Sequence, residues 1–288
     1  MLPLMRNSGQ PDKPEDVTQE SRTSETRAFF ESYYRATAKG FIRDSMTIGT
    51  VSEPESRFHY NACENAIIRC LTRLTPVAGQ APSVWRFAQE RRAWRVLDVG
   101  SGTGHWVDFY LDVYLAKAVT AVEFVPQMTG YLRGKYAGRD AVTVLEADIV
   151  NDPLPARSFD IVNAIGVVFH IVDDGHWRRA VETLLGAAKP GGIVLIGGDF
   201  GAETRDVQFH RVDRFESWKE HDSSGAPAER VNKRVRSLAD WEKLAASLGA
   251  SIAELVRSDA DPAIRTPEND LLVLRPGAID PVPAYERP

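Results

Sequence analysis

Between Arg95 and Phe200, short apolar runs alternate with longer amphipathic ones, and the connections between them are brief. The apolar runs are Arg95–Val99, Val119–Glu123, Val142–Glu146, Phe159–Ile165 and Ile193–Ile196. Their β-branched residues and lack of polar alternation predict strands buried on both faces. Trp177, Ala180, Val181, Leu184, Leu185 and Ala188 recur at three- and four-residue spacing, which predicts a helix between the last two strands. Lys189-Pro190-Gly191-Gly192 then reads as a helix stop followed by a turn. Strand and helix in alternation imply a parallel sheet with helices on both faces. Residues 199–236 interrupt that rhythm with mixed charge and few apolar runs, and an insertion this long is either functional or mobile. A helix over Ser237–Leu248 and strands at Ile252–Val256 and Asp270–Leu274 follow.

The pattern ahead of the first strand is different. Residues 1–24 are rich in Ser, Thr, Pro and acids, too polar to offset their ordering entropy, and are expected to be disordered. From Glu25, the aromatic residues Phe29, Phe30, Tyr33 and Tyr34 recur on one face of a helix that Gly40 stops. A second stripe, Tyr60, Cys63, Ile67, Cys70, Leu71 and Leu74, ends at Pro76. Residues 25–90 therefore form a helical appendage to a domain over 91–276, with a tail at 277–288. Packing on the domain accounts for the two apolar stripes, and a cover over a binding pocket would use the same faces.

Composition narrows this picture only slightly. The net charge of −5 gives no electrostatic reason to expect nucleic acid or an anionic membrane as partner. Cys63 and Cys70 lie two helical turns apart, roughly 10 Å, too far for a disulfide. They read as small buried apolar residues of a reducing compartment. Met1–Met5 is too short for the apolar core of a signal peptide. No run approaches the ~18 apolar residues of a membrane helix, so a cytoplasmic setting is expected. Oligomeric state is left open.

The chemistry centres on Asp98-Val99-Gly100-Ser101-Gly102-Thr103-Gly104, which closes the first strand. Glycines at every second position can take positive φ and let a ligand lie against the backbone. A helix starting from about Thr103 would point free N–H groups at that ligand. Glu123 ends the second strand, about 20 residues on, where a carboxylate can accept from ribose hydroxyls. Together these residues resemble the first two motifs of the class I S-adenosylmethionine-dependent methyltransferases. Position 105 is His, whereas a dinucleotide dehydrogenase more often continues Gly-x-Gly-x-x-Gly.

The resemblance runs from Arg95 to Leu274 and implies a seven-stranded, mostly parallel Rossmann-like sheet whose last hairpin inserts one antiparallel strand. It also implies a site. Gly100, Gly102 and Gly104 would lie beneath the methionine part of S-adenosyl-L-methionine, and Asp98 would hold the turn and the cofactor's ammonium group. Glu123 would accept both ribose hydroxyls, Phe124 would press on the adenine, Asp148 would accept from the adenine amino group, and the Ile149 backbone would meet the ring. Ala164 and Ile165, at the end of the fourth strand, would lie beside the reactive methyl. Asp148 taken alone could equally cap a turn. Asp160 starts its strand, away from the edge where ligands bind, and stays outside the site.

Methyl transfer is an in-line displacement at an activated carbon, so the protein mainly aligns the nucleophile and removes its proton. His170 follows the fourth strand, titrates near neutrality and is the first candidate for a base. A histidine satisfied by backbone groups is the rival reading. Asp173 or Asp174 suit the cap of the next helix. His59 and Tyr60, with Tyr34, are further candidates on the substrate side, and His105 would touch cofactor or packing. Asn163-Ala164-Ile165-Gly166 is not the Asn/Asp-Pro-Pro-aromatic motif of enzymes that methylate base amino groups, neither cysteine follows that strand, and metal-ligand spacing is absent. A small-molecule acceptor remains, with oxygen, nitrogen or carbon open as the atom methylated. A protein or peptide methyltransferase, a non-catalytic cofactor-binding protein and a nucleotide-dependent oxidoreductase are the alternatives.

Overall fold

A computed structural model describes residues 25–31, 53–74, 93–210, 219–220, 230–257 and 270–277. The expectations for residues 1–24, for Tyr34 and for the tail at 278–288 lie outside the described residues. Five strands, β1 (Arg95–Val99), β2 (Ala118–Glu123), β3 (Val142–Glu146), β4 (Phe159–Ile165) and β5 (Ala188–Gly198), pair in parallel. With β9 (Ser251–Val256) and β10 (Asp270–Arg275) they form one seven-stranded sheet in the order β3-β2-β1-β4-β5-β10-β9. β10 runs antiparallel to both β5 and β9, as the resemblance implies.

Because successive side chains point to opposite faces, each central strand feeds two cores. Val96, Val119, Ile161, Leu195 and Val273 face one side, where helix α2 (Glu53–Leu74) docks Cys63, Ile67, Cys70 and Leu71. Leu97, Val122, Val162, Ile196 and Leu272 face the other, under α5 (Asp174–Ala187) and α6 (Leu238–Ser247). Cys63 and Cys70 are free thiols, and burial pushes both up to about 12. They serve as apolar filling.

The helical run at 25–31, here α1, leads into the site described below. Three local features depart from the sequence pattern. First, β5 pairs with β4 from Ala188 onward, with a register shift between Phe159 and Ile161, so the Lys189–Gly192 turn lies inside the strand. Second, the helix after the glycine turn is only α3 (His105–Asp108), followed by a π turn over Phe109–Val113. Third, the 199–236 insertion builds its own antiparallel sheet: β6 (Arg205–His210) lies between β7 (Lys219–Glu220) and β8 (Arg230–Val235). The remaining helix, α4 (Pro126–Lys135), follows β2.

α5 is started by its cap. Asp173 has an extended backbone, and its Oδ1 accepts from the His176 N–H at 2.7 Å. Asp173→Ala should cost about 1 kcal/mol and lower the melting temperature by about 2 °C, read by calorimetry against the parent; Asp174→Asn should leave the cap intact.

Candidate active site

The loops after β1–β4 converge at the carboxyl edge of the parallel strands, where ligands bind in open α/β sheets. Gly100, Gly102 and Gly104 have φ of 67°, 50° and 88°. The turn is fixed from three sides. Gly100 and Ser101 N–H groups donate to the Val122 carbonyl at 2.8 and 3.1 Å. The Ser101 hydroxyl donates to the Asp98 carbonyl at 2.8 Å. From α4, Lys135 Nζ donates to the Thr103 carbonyl at 2.9 Å, and the Tyr136 hydroxyl lies 2.9 Å from the Gly104 carbonyl.

Two acids meet this turn. Glu123 is buried, its Oε2 accepting from Gly102 N–H at 3.1 Å and its Oε1 from Phe124 and Val125 N–H at 3.0 and 3.2 Å. Burial raises its pKa, and these three backbone donors oppose the rise. A carboxylate has about four lone-pair sites, so Oε2 keeps one for a ligand. Asp98 is 0% exposed; its Oδ1 accepts from Asn163 Nδ2 at 2.8 Å, while Oδ2 is buried and accepts no hydrogen bond among the described residues. Burial pushes this carboxyl up to about 7, with Asn163 and Ser101 pulling it down and Glu123 pushing it further up.

Around the next two loops, Ile149 is buried, and Asp148 is held in a local turn. Asp148 Oδ1 accepts from Val150 N–H at 2.9 Å and Oδ2 from Asn151 Nδ2 at 3.0 Å. Oδ2 also receives Arg27 Nη1 of α1 at 3.0 Å, and the same guanidinium lies 5.4 Å over the Phe124 ring. The turn-capping role and a ligand-facing role thus meet at one carboxylate. Ala164 and Ile165 turn their side chains into the two cores, so main-chain atoms are what this strand end offers a ligand.

α1 closes the site from above. Phe29 is buried among Val125, Met128 and Val231, and the Thr26 hydroxyl accepts from Asn232 N–H of β8 at 3.1 Å. Phe30 meets the His170 ring edge-on at 5.1 Å. His170 lies in the 3₁₀ turn Val168–His170, with Nδ1 3.2 Å from the Asn232 carbonyl. Its pKa does not stay near neutrality as expected: burial first, then the positive Lys233, lower it to about 3. The imidazole is therefore neutral at any working pH, with Nδ1–H donating and Nε2 left as an acceptor.

Tyr60 is buried in the core, its ring centroid 3.7 Å from that of His105. His105 Nε2 lies 2.9 Å from Glu64 Oε1 but off the hydrogen-bond axis, joining α2 to the glycine turn. The side chain of His59 lies outside the described residues. Sequence reasoning missed Asn163, Tyr110, Arg27 and Asn232. A buried amide within the apolar run Ile161-Val162-Asn163-Ala164 was the one visible signal.

Comparison with known proteins bears on the family and the fold. A family described as "methyltransferase domain" matches residues 96–192. A demethylmenaquinone methyltransferase of Thermus thermophilus is 29% identical over 133 residues, 43% of this chain and 59% of that protein. A Mycobacterium tuberculosis protein named as a probable S-adenosylmethionine-dependent methyltransferase is 28% identical over 111 residues, 38% of each chain. The chain thus spans well under two thirds of the length of these relatives. Among solved structures, the DhpI–SAH complex covers 91% of this chain and 100% of its own at 21% identity and a TM-score of 0.56. A Burkholderia thailandensis 1,6-didemethyltoxoflavin-N1-methyltransferase covers 92% and 93% at 15% identity and a TM-score of 0.55. At these identities the structural likeness is one of fold.

A test of the turn follows from its backbone. A Cβ on Gly104 would fall 2.2 Å from the Tyr136 hydroxyl, at a φ that L-residues avoid. Gly104→Ala should cost about 2–3 kcal/mol, the sum of left-handed strain and a displaced hydrogen bond. Urea denaturation should show that loss, against a smaller one for Tyr136→Phe.

Proposed function

We propose that this chain, whose residues 96–192 form a class I methyltransferase domain, transfers a methyl group from S-adenosyl-L-methionine to a small-molecule acceptor. One observation carries the reading: a positive-φ glycine turn flanked by two buried carboxylates, each with capacity left for a ligand, at neighbouring parallel strand ends. Among the described residues Asp98 Oδ2 has no hydrogen-bond partner, and Glu123 holds one lone pair at the turn's own N–H. These donor-seeking groups fit a ligand carrying an ammonium and ribose hydroxyls.

The bound cofactor supplies a methyl group on a sulfonium, already activated for displacement. The chain's residues bind, orient and enclose. The glycine turn and Asp98 take the amino-acid end, and Glu123 the ribose. Phe124, Asp148 and Ile149 take the adenine, for which Arg27 must leave the face of Phe124. Main-chain atoms of Ala164, Ile165 and Gly166 border the methyl. His170 Nε2, on a ring held neutral, accepts a hydrogen bond from the acceptor and orients it for in-line transfer. Tyr60 of α2 remains a candidate on the substrate side.

The cover supports a small acceptor over a protein one. α1 and β8 are bonded to each other at Thr26 and Asn232, beside His170, and such a contact suits a small acceptor better than an extended peptide. The relatives named for demethylmenaquinone and for didemethyltoxoflavin act on small molecules by their names. No described helix is long and apolar enough to cross a membrane, and a cytoplasmic setting fits two unoxidised buried thiols.

Titration calorimetry of the protein with S-adenosylhomocysteine should give saturable one-site binding; no heat on folded protein overturns the reading. Glu123→Ala removes a charge-assisted acceptor worth about 1.5–3 kcal/mol and should weaken that binding at least tenfold. His170→Ala should lower turnover about 100-fold with cofactor affinity held within a few-fold. Since burial keeps its pKa near 3, the parent's pH–rate profile should carry no His170 limb between pH 5 and 8. The stability sign is also set. A histidine depressed from 6.5 to about 3 binds protons in the unfolded chain first, so its contribution is present above pH 6.5 and is lost as pH falls towards 3. His170→Phe should flatten that part of the melting-temperature profile.

A further inference from the structure

Asn163 is 0% exposed at the centre of β4, directly across from Asp98 in register. An amide buried there costs free energy unless both of its ends are bonded. Both are: Nδ2 donates to Asp98 Oδ1 at 2.8 Å, and Oδ1 accepts from the Tyr110 hydroxyl at 3.2 Å. Tyr110 reaches the sheet from the π turn and is itself fully buried, with burial and the nearby Asp98 raising its pKa, so its hydroxyl keeps its proton. The donor order Tyr110 to Asn163 to Asp98 fixes which oxygen of Asp98 is an acceptor and which is not engaged.

We infer that Asn163 and Tyr110 are positioning residues for Asp98, holding Oδ1 so that Oδ2 carries a proton in the free protein and exchanges it for the cofactor's α-ammonium on binding. The inference rests on the methyltransferase reading above and specifies how one end of its site works. The exchange balances as an acid–base step. The Oδ2–H bond breaks, the proton passes to solvent, and a carboxylate–ammonium ion pair replaces a neutral acid and a free cation; nothing is oxidised or reduced.

The groups around Asp98 favour that exchange. Facing it are Glu123 from β2, Tyr110 from the π turn and Tyr136 from α4, with Asn163 and Ser101 as neutral partners. Glu123 opposes ionisation of Asp98, as burial does. A cation arriving at Oδ2 reverses the balance.

The test uses the full chain and S-adenosylhomocysteine, which carries the same α-ammonium. Calorimetry at pH 6, 7 and 8 in phosphate and in Tris separates proton release from intrinsic heat. The expected result is release of close to one proton at pH 6, falling towards zero at pH 8, with affinity rising up to about tenfold per pH unit below 7 and levelling above. Asn163→Leu removes a donor to the carboxylate. Its affinity curve should shift to higher pH by about one unit, with binding at pH 7 about fivefold weaker. Tyr110→Phe should shift it the same way by less, and it keeps the test open if Asn163→Leu fails to fold. Binding without proton release at pH 6, or variant curves parallel to the parent's at every pH, overturns the inference while leaving the methyltransferase reading standing. Absence of binding at all three pH values overturns both.

Discussion

Three backbone N–H groups, those of Gly102, Phe124 and Val125, converge on one buried carboxylate, Glu123. A carboxylate at 3% exposure is costly unless its lone pairs are filled. Here three of them are filled by main chain from two different loops, so one side chain ties the turn after β1 to the turn after β2. The glycine turn, in return, is hung from β2 by the Val122 carbonyl. Neither loop has its geometry without the other, and every ligand contact assigned to Gly100–Gly104 and Phe124 depends on that mutual fixing.

The cover depends on the same edge. α1 places Phe29 against Val125 and Met128, which begin the segment that Glu123 anchors, and Arg27 against Asp148 in the following loop. Thr26 and Glu25 then bond Asn232 of the insertion. Two segments some 200 residues apart in sequence meet beside the loops that follow β2, β3 and β4. His170 sits where they join, which is why burial and Lys233 govern its ionisation and why residue type alone misplaces its pKa.

What was legible follows from how local the cause is. The parallel strands could be read because burial on both faces leaves continuous apolar runs, and the turn because positive φ requires glycine. A cap at Asp173 or Asp174 was readable from their place before an amphipathic helix, and the structure gives it to Asp173. The insertion's sheet was not legible: β6 and β8 are largely polar, and the buried side chains among their described ones are Val207, Val231, Asn232 and Val235. Their strand character comes from pairing with each other. The π turn at Phe109–Val113 was hidden for a similar reason, since its sequence suits a plain helix and its extra residue serves a partner, Asn163, far along the chain. The helix stop at Lys189–Gly192 was right as a turn, yet β4 recruits the residues on both sides of it into one irregular strand.

β10 has a consequence for how this protein comes to exist. Leu271, Leu272, Val273 and Leu274 are all fully buried, and their strand lies between β5 and β9, inside the sheet rather than at its rim. Everything it pairs with is synthesised before it. Until residues 270–275 have left the ribosome, β5 and β9 present two unpaired edges and an apolar slot between them, the kind of surface that pairs with other chains. The five parallel strands can assemble early, but the sheet is sealed only by the last of its strands to be made, and that interval is when the nascent chain is most exposed to misassociation.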